Sequence, residues 1–560
     1  MRLDRMGASY PTRLSFLRIL LRRMSREKWQ IAPTRIDLDD DGVGHVTIEA
    51  RGPARTYTLV AFAHALAPEQ RSDRVIADAW DATFALVDGV ATPDDIARLA
   101  TAVPKQERAR CTPRELVLSR ANRSGRIFDA VVDALARGDA PDMQTVHEVG
   151  YLMRTTAVYG NGKFGIADRE KYADRPELAA PFQAEMLTVY LIRTFSHLLV
   201  EHLATRQKSA EANNHRCKPC RLPDEAKRAL GIGNATGLGM APFMVSHPRL
   251  IHNWVAARET ARARVCAQPT ATPQAAAHAR ALFANARRMI AAWHVADPVQ
   301  TARLDRLRAE LTAIPDDAIA RHLTAPYPWR TLVESVQDGS LELQELVTSL
   351  ILEPHADIVD ALTHELADHD HDRFDPCMTI AEMRALLVTH YAWSRDISPN
   401  DPNANAQFWY TSVEKREPRI GNRHEEPGAE KELPLHVARD IRAFDAALAA
   451  WAQPTPNAPV AELLMAAPQH RDIARRVQTI ATHPYGEVHD NLVADTMRPI
   501  DLLRFKLAFF GATKFDPKSD LWTRITLFKG APLAEDVAAG NAESGDWMFS
   551  SPATTIRSSV

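Results

Sequence analysis

From about residue 125 onward the apolar residues recur at three- and four-residue intervals, and that period decides most of what this chain can become. Ile127, Val131, Val132 and Leu135 would share one helix face, and the same spacing returns at 182–206, 250–265, 275–296, 299–313, 343–352 and 438–451. A helical body is therefore expected. Residues 35–90 read differently: short β-branched and aromatic runs around Val46 and Ile48, at 57–62 and at 83–87 are separated by Asp41-Gly42, Gly52-Pro53 and Asp88-Gly89. That is the pattern of an antiparallel meander. A helix should open at Thr92, where the hydroxyl can cap, Pro93 fits the first turn, and Asp94 and Asp95 complement the dipole. Residues 502–510 read as a helix, and 524–528 as a strand that returns to the N-terminal sheet. The expected fold class is mainly α with a small antiparallel β-sheet, an α+β protein.

At 560 residues the chain exceeds what one core usually organises. The expected division is a basic N-terminal helix or extension over 1–30, a small α+β domain over 31–125, and a helical body over 126–375. A second helical region with a long loop and the C-terminal strand follows over 376–540, then a flexible tail over 541–560. In the first segment Arg18 interrupts the apolar run of Phe16, Leu17, Ile19, Leu20 and Leu21, which argues against a secretory signal. It reads as a surface helix, an over-long start with initiation near Met24, or an interfacial basic helix. Two connections of nearly forty residues, 205–245 and 396–434, are too long to be idle in a packed domain.

Charge excludes some partners. Lys and Arg number 68 against 71 Asp and Glu, so there is no field to gather a polyanion, and nucleic acid is not expected as a partner. Five cysteines, an odd and small number, point to a reducing, cytoplasmic setting. The most apolar long stretch, 182–204, carries Glu185, Arg193, His197, Glu201 and His202, so no membrane span is expected. The i+4 stripe of Glu185, Arg193, His197 and Glu201 reads as a solvated face, the alternative being a polar wall of a site.

Several motifs imitate known sites and fail on spacing. Asp37-x-Asp39-x-Asp41-Gly42 opens like a calcium loop, but Ile48 stands where a bidentate Glu is needed, so a turn is the better reading. His364-Glu365 is followed by His369 at five residues rather than four, so the two imidazoles miss a common helix face. His215, Cys217 and Cys220 offer three soft ligands for zinc, with no second cysteine pair. Gly160-Asn161-Gly162-Lys163-Phe164-Gly165 has the dinucleotide spacing, but Arg154, Thr155 and Thr156 before it make a poor buried strand. No cofactor is assigned on these grounds.

Glycine distribution carries more. Only 23 glycines occur in the chain, yet three lie in 160–165 and four in 231–239. Glycine permits positive φ and close approach of other atoms to the main chain. Both segments are expected to be loops presenting bare amides to a carboxylate or phosphate. Arg154, Tyr159, Gly160, Asn161, Gly162 and Lys163 would act at the first, and Gly233, Asn234, Thr236 and Gly237 at the second, with Arg249 and Arg258 following. The plainer alternative is that these glycines end helices and permit packing.

Acid–base groups cluster in two places. His247 and His252 follow the second glycine segment, and His483, Tyr485, Glu487 and His489 crowd a loop before Asn491. Trp409 and Arg419 lie in a segment, 407–423, that mixes aromatic and cationic residues, suited to a lid or equally to a subunit contact in a homo-oligomer. The expectation is an enzyme acting on a small anionic ligand by histidine-centred acid–base chemistry. The competing readings are a zinc-dependent or zinc-stabilised protein and a non-catalytic helical scaffold.

Overall fold

The computed structural model describes residues 12–65, 80–104, 112–155, 174–212, 218–236, 248–295, 297–366, 374–396, 434–452, 455–487, 508–517 and 523–541. Helix α1 (Phe16–Arg26) leads into β1 (Gln30–Leu38), β2 (Gly44–Arg51), β3 (Thr56–Ala63) and β4 (Ala82–Asp88). These strands pair antiparallel in chain order. The β1–β2 turn is closed by Asp39, whose carboxylate accepts from the amides of Asp41 and Val43 at 3.0 and 2.8 Å. Helix α2 (Pro93–Ala102) begins at Thr92 with a reciprocal cap, the Thr92 hydroxyl on the Asp95 amide and the Asp95 carboxylate on the Thr92 amide.

The chain continues through β5 (Glu115–Arg123), α3 (Phe128–Arg137), α4 (Met143–Val149) and β6 (Tyr151–Thr155) to the 29-residue α5 (Gln183–Glu211), then α6 (Asp224–Ala229) and β7 (Gly231–Thr236). A run of helices follows: α7 (Pro248–Cys266), α8 (Pro273–Ala292), α9 (Pro298–Thr312), α10 (Asp316–Thr324), α11 (Pro328–Glu334), α12 (Leu341–Leu352) and α13 (Ala356–Asp360). Further on come α14 (Ile380–His390), α15 (Trp393–Asp396), α16 (Pro434–Ala452), α17 (Val460–Ala466) and α18 (Arg471–Ile480). Strands β8 (Ala512–Pro517) and β9 (Thr523–Leu527) and helix α19 (Ala534–Ala539) complete the described chain.

The sheet corrects the sequence expectation. It has nine strands in the order β1-β2-β3-β4-β5-β6-β7-β9-β8, and it is mixed, because β6 and β7 run parallel through a crossover that contains α5. The protein is α+β, but its sheet is large rather than small, and not purely antiparallel. The strand at 523–527 does return to the sheet, as an antiparallel partner of β7. Strands β5, β6, β7 and β8 and most of β1 fall outside the segments that the sequence pattern marks as strands, and for β6 and β7 the reason is physical. Strand β6 is five residues long with a charged member, and β7 reads Gly-Ile-Gly-Asn-Ala-Thr, a composition of poor intrinsic strand preference. Hydrogen bonding to β6 on one side and β9 on the other overrides that preference. The segment 205–245 is consequently not one long connection, since α5 extends to Glu211 and α6 and β7 occupy its middle.

Helix α5 lies against β2, β3, β5, β6 and β7 and is interior for most of its length. Glu185, Arg193, His197 and Glu201 are all buried, so this stripe is not a solvated face. The Arg193 guanidinium donates to the carbonyls of Leu230 (2.7 Å), Lys227 (2.9 Å), Ala531 (3.0 Å) and Pro532 (3.0 Å). It thus satisfies the carbonyl end of α6 and ties α5 to both β7 and the segment after β9.

Helix α1 is also interior rather than a surface element. Arg13 holds Asp360 through Nε and Nη2 at 2.9 and 2.8 Å, Arg22 reaches the same carboxylate at 3.0 Å, and Arg18 forks onto the buried Glu353. Four buried charges, Arg13, Arg18, Arg22 and Glu353, and the half-buried Asp360 lock the N-terminal segment onto the helical body. Among the described residues no helix is long and apolar enough to cross a membrane.

Candidate functional site

Helix α7 buries Ile251, Trp254, Val255, Ala261 and Val265, and the Trp254 indole donates to the Leu14 carbonyl at 3.1 Å. That packing leaves His252, near the N-terminus of α7, half-buried on the flank. Opposite it, α18 ends and the chain turns back: the His483 amide donates to the Thr479 carbonyl at 3.0 Å, and the Gly486 amide to the His483 carbonyl at 2.8 Å. Glu487 then pins the turn to α18 through two bonds from Arg476, 3.1 and 3.0 Å long. This carboxylate is buried beside Tyr391, whose hydroxyl is held well above its usual pKa by burial first and Glu487 second.

These two elements bring three of the acid–base residues into contact. The rings of His252 and His483 meet edge to face, 4.7 Å apart at 79°. Tyr485 lies over His252 with centroids 5.4 Å apart and planes 23° apart, and its backbone amide donates to His252 Nδ1 at 3.3 Å. Nδ1 of His252 is therefore the unprotonated nitrogen, and Nε2 carries the hydrogen. Burial, then His483, then Arg249, push the His252 pKa down to about 4, so this imidazole is neutral at pH 7.

The tautomer of His483 is set the other way. Its Nδ1 lies 3.2 Å from the Thr479 carbonyl, which can only accept, and 2.8 Å from the Thr482 hydroxyl. With the proton on Nδ1, the lone pair of His483 sits on Nε2. The pair thus offers a donor on one ring and an acceptor on the other, the two complementary roles of acid–base chemistry. Glu487 is not a third member at hand, because both its oxygens are taken by Arg476. Thr479 and Arg476, which orient His483 and its turn, were not singled out from the sequence. The four-residue offset from Thr479 to His483 is the one signal that could have found the first.

At the second glycine segment the structure places Gly233 and Asn234 within β7. Gly233 pairs in register with Arg154 of β6, so those two predicted residues are adjacent. A Cβ on Gly233 would stand 2.6 Å from the Tyr151 ring, and one on Gly231 would stand 2.1 Å from the Leu527 carbonyl oxygen. Both glycines are thus required by close packing within a strand, where a loop with bare amides was expected. Asn234 donates to the Thr155 carbonyl, while its Oδ1 is buried without a partner among the described residues. Thr155 and Thr236 lead out of the same end of the parallel β6–β7 pair, toward the segments that contain the remaining glycines. Such carboxyl ends of parallel strands are where open sheets commonly bind ligands.

Tyr159, Gly160, Asn161, Gly162, Lys163, Gly237, His247, Trp409, Arg419 and His489 lie outside the described residues, as do His215 and Cys217. Cys220 is buried with a free thiol, its amide donating to the Thr205 hydroxyl at 2.9 Å. In comparisons with known proteins, no family model, no curated sequence and no solved structure matches this chain.

Proposed function

We propose that this protein is an enzyme that acts on a small anionic metabolite through the His252–His483 pair. The observation that carries the reading is the contact of two imidazoles from distant segments in complementary tautomers. In this reading His483 Nε2 removes a proton from the substrate, and the neutral His252 Nε2–H donates to the oxygen on which charge develops. A neutral imidazole suits the second role, since its hydrogen is available without prior protonation. Tyr485 covers one face of His252 and limits water there. Arg249, close enough to His252 to lower its pKa, supplies positive charge beside the pair, next to the N-terminus of α7. Lys163 and the glycine amides of 160–165 would complete the anion site.

A thermal-shift screen of organic acids, nucleotides and acyl-CoA compounds tests this. A true ligand raises the melting temperature. The rise should be lost or strongly reduced in His483→Gln and in Lys163→Ala, and turnover of the hit should fall by about 10²–10⁴-fold in His483→Gln. A ligand whose stabilisation and turnover are the same in both variants would place the chemistry elsewhere.

A further inference from the structure

Three nitrogen bases cluster where β6 and β7 begin, at the opposite end of that parallel pair from Thr155 and Thr236. Strand β9 ends in a tight turn in which Phe528 and Gly530 take positive φ, 60° and 81°. The turn is pinned around Lys529. Phe528 is buried, the Lys529 amide donates to the Thr513 hydroxyl at 3.0 Å, and the Gly530 amide donates to the Arg228 carbonyl at 2.6 Å. The Lys529 side chain runs to the C-terminal end of α4, where Nζ donates to the His147 carbonyl at 2.7 Å. Lys514 of β8 reaches the same helix end and donates to the Glu148 carbonyl. A Cβ on Gly150 would stand 3.3 Å from Cδ of Lys529 and 3.7 Å from Cδ of Lys514, so both stems cross the bare backbone of one residue.

Cations complement the carbonyl end of a helix, and one lysine would suffice for that. The second brings a like charge beside the first. No carboxylate answers it at Lys529, which makes no ion pair among the described residues. Glu148 turns out to Arg126 at 3.7 Å, Asp536 pairs with Arg228, and Glu225 is felt at the His147 ring. Burial first and Lys514 second push the Lys529 pKa down to about 7. His147 is half-buried, and its Nε2 is enclosed without a hydrogen-bond partner. Burial and then Lys529 lower its pKa below 6.5, so the imidazole is neutral at pH 7.

We propose that Lys529 is a second reactive centre, a nucleophilic amine that condenses reversibly with a small aldehyde. The His147 carbonyl holds one N–H of the neutral amine and leaves the nitrogen lone pair directed away from it. That lone pair forms the bond to the aldehyde carbon, and the carbonyl π pair moves to oxygen. Water then leaves with the aldehyde oxygen and both amine hydrogens, and an imine remains. The neutral His147 imidazole carries one of these protons from nitrogen to oxygen. Lys514 acts through its charge alone, which keeps its neighbour deprotonated.

Reductive alkylation tests this. The full chain is treated with propanal and cyanoborohydride at pH 7, and the modified lysines are located by peptide mass spectrometry. Lys529 should react more than about tenfold faster than the other lysines, because about half of it is free amine. For a lysine of ordinary pKa the free fraction is below about one in a thousand. Its rate should have a midpoint near pH 7, which Lys514→Met should move upward and His147→Gln should leave in place while slowing the reaction. Lys529→Arg should abolish the fast site, and His483→Gln should leave it unchanged, which separates it from the chemistry proposed at His252 and His483. The site map of the wild type stands whether or not any variant folds. Labelling of Lys529 no faster than that of the other lysines at pH 7, or a midpoint near pH 10 that ignores Lys514→Met, would overturn the assignment.

Discussion

Gly233 answers a steric demand that no other residue type meets. Its missing Cβ is what allows the Tyr151 ring to lie against β7, and an added methyl would arrive 2.6 Å from that ring. Tyr151 is buried, so the ring has little room to yield. Gly233→Ala should therefore destabilise the protein by about 1–3 kcal/mol, a cost of overpacking that chemical denaturation would measure. Gly→Ala at an unstrained loop position would instead be neutral or slightly stabilising. The scarcity of glycine did mark 231–233 in the sequence as special, but it could not say whether a ligand or a neighbouring ring was the close visitor. At Glu487 a similar ambiguity arose: the residue type suggested catalysis, whereas the contact made is a buried ion pair with Arg476.

At the scale of elements, the sequence was legible wherever local signals suffice. The strands around residues 46–48, 57–62 and 83–87, the capped start of α2, and the helices with clear 3.6-residue periods all stand where the pattern placed them. Legibility failed where partners are remote. Helix α1 looks like a basic surface helix until Glu353 and Asp360 are brought to it from 335 to 347 residues away. Their carboxylates are held below the ordinary range, against the effect of burial, by Arg18 and Arg22 respectively as the leading charge partners. Arg18→Met should cost about 3–5 kcal/mol, because it leaves Glu353 buried with its main partner gone. A paired replacement, Arg18→Met with Glu353→Leu, should recover much of that loss. A double-mutant cycle on denaturant midpoints checks both values. The same remoteness hid the histidine pair, since His252 and Tyr485 are 233 positions apart and only their residue types drew attention to them.

For the whole molecule, neutral histidines, one buried and four half-buried, set the response to acid. Burial is the leading cause that lowers the pKa of His64, His147, His197, His252 and His355 from 6.5, with His252 and His355 reaching about 4. As pH falls below 6.5 the unfolded chain takes up protons that the folded chain refuses, so stability must fall. The melting temperature should therefore be level above pH 7 and decline progressively from about pH 6.5 toward pH 4, as a thermal-melt series across pH would record. His197, interior and with Nε2 unpartnered among the described residues, contributes one such proton. His197→Leu should flatten the decline by up to about 1.4 kcal/mol per pH unit.

In the proposed chemistry His252 is a neutral hydrogen-bond donor held by contact with His483 and Tyr485. Imidazole nitrogen and carbon NMR of the full chain, followed from pH 8 to pH 4.5, reads this directly. The predicted result is an Nε2–H tautomer for His252 that persists to about pH 4–5, with a pKa that rises in His483→Gln because a source of repulsion has gone. A His252 that titrates near its ordinary value and takes no notice of His483→Gln would contradict it.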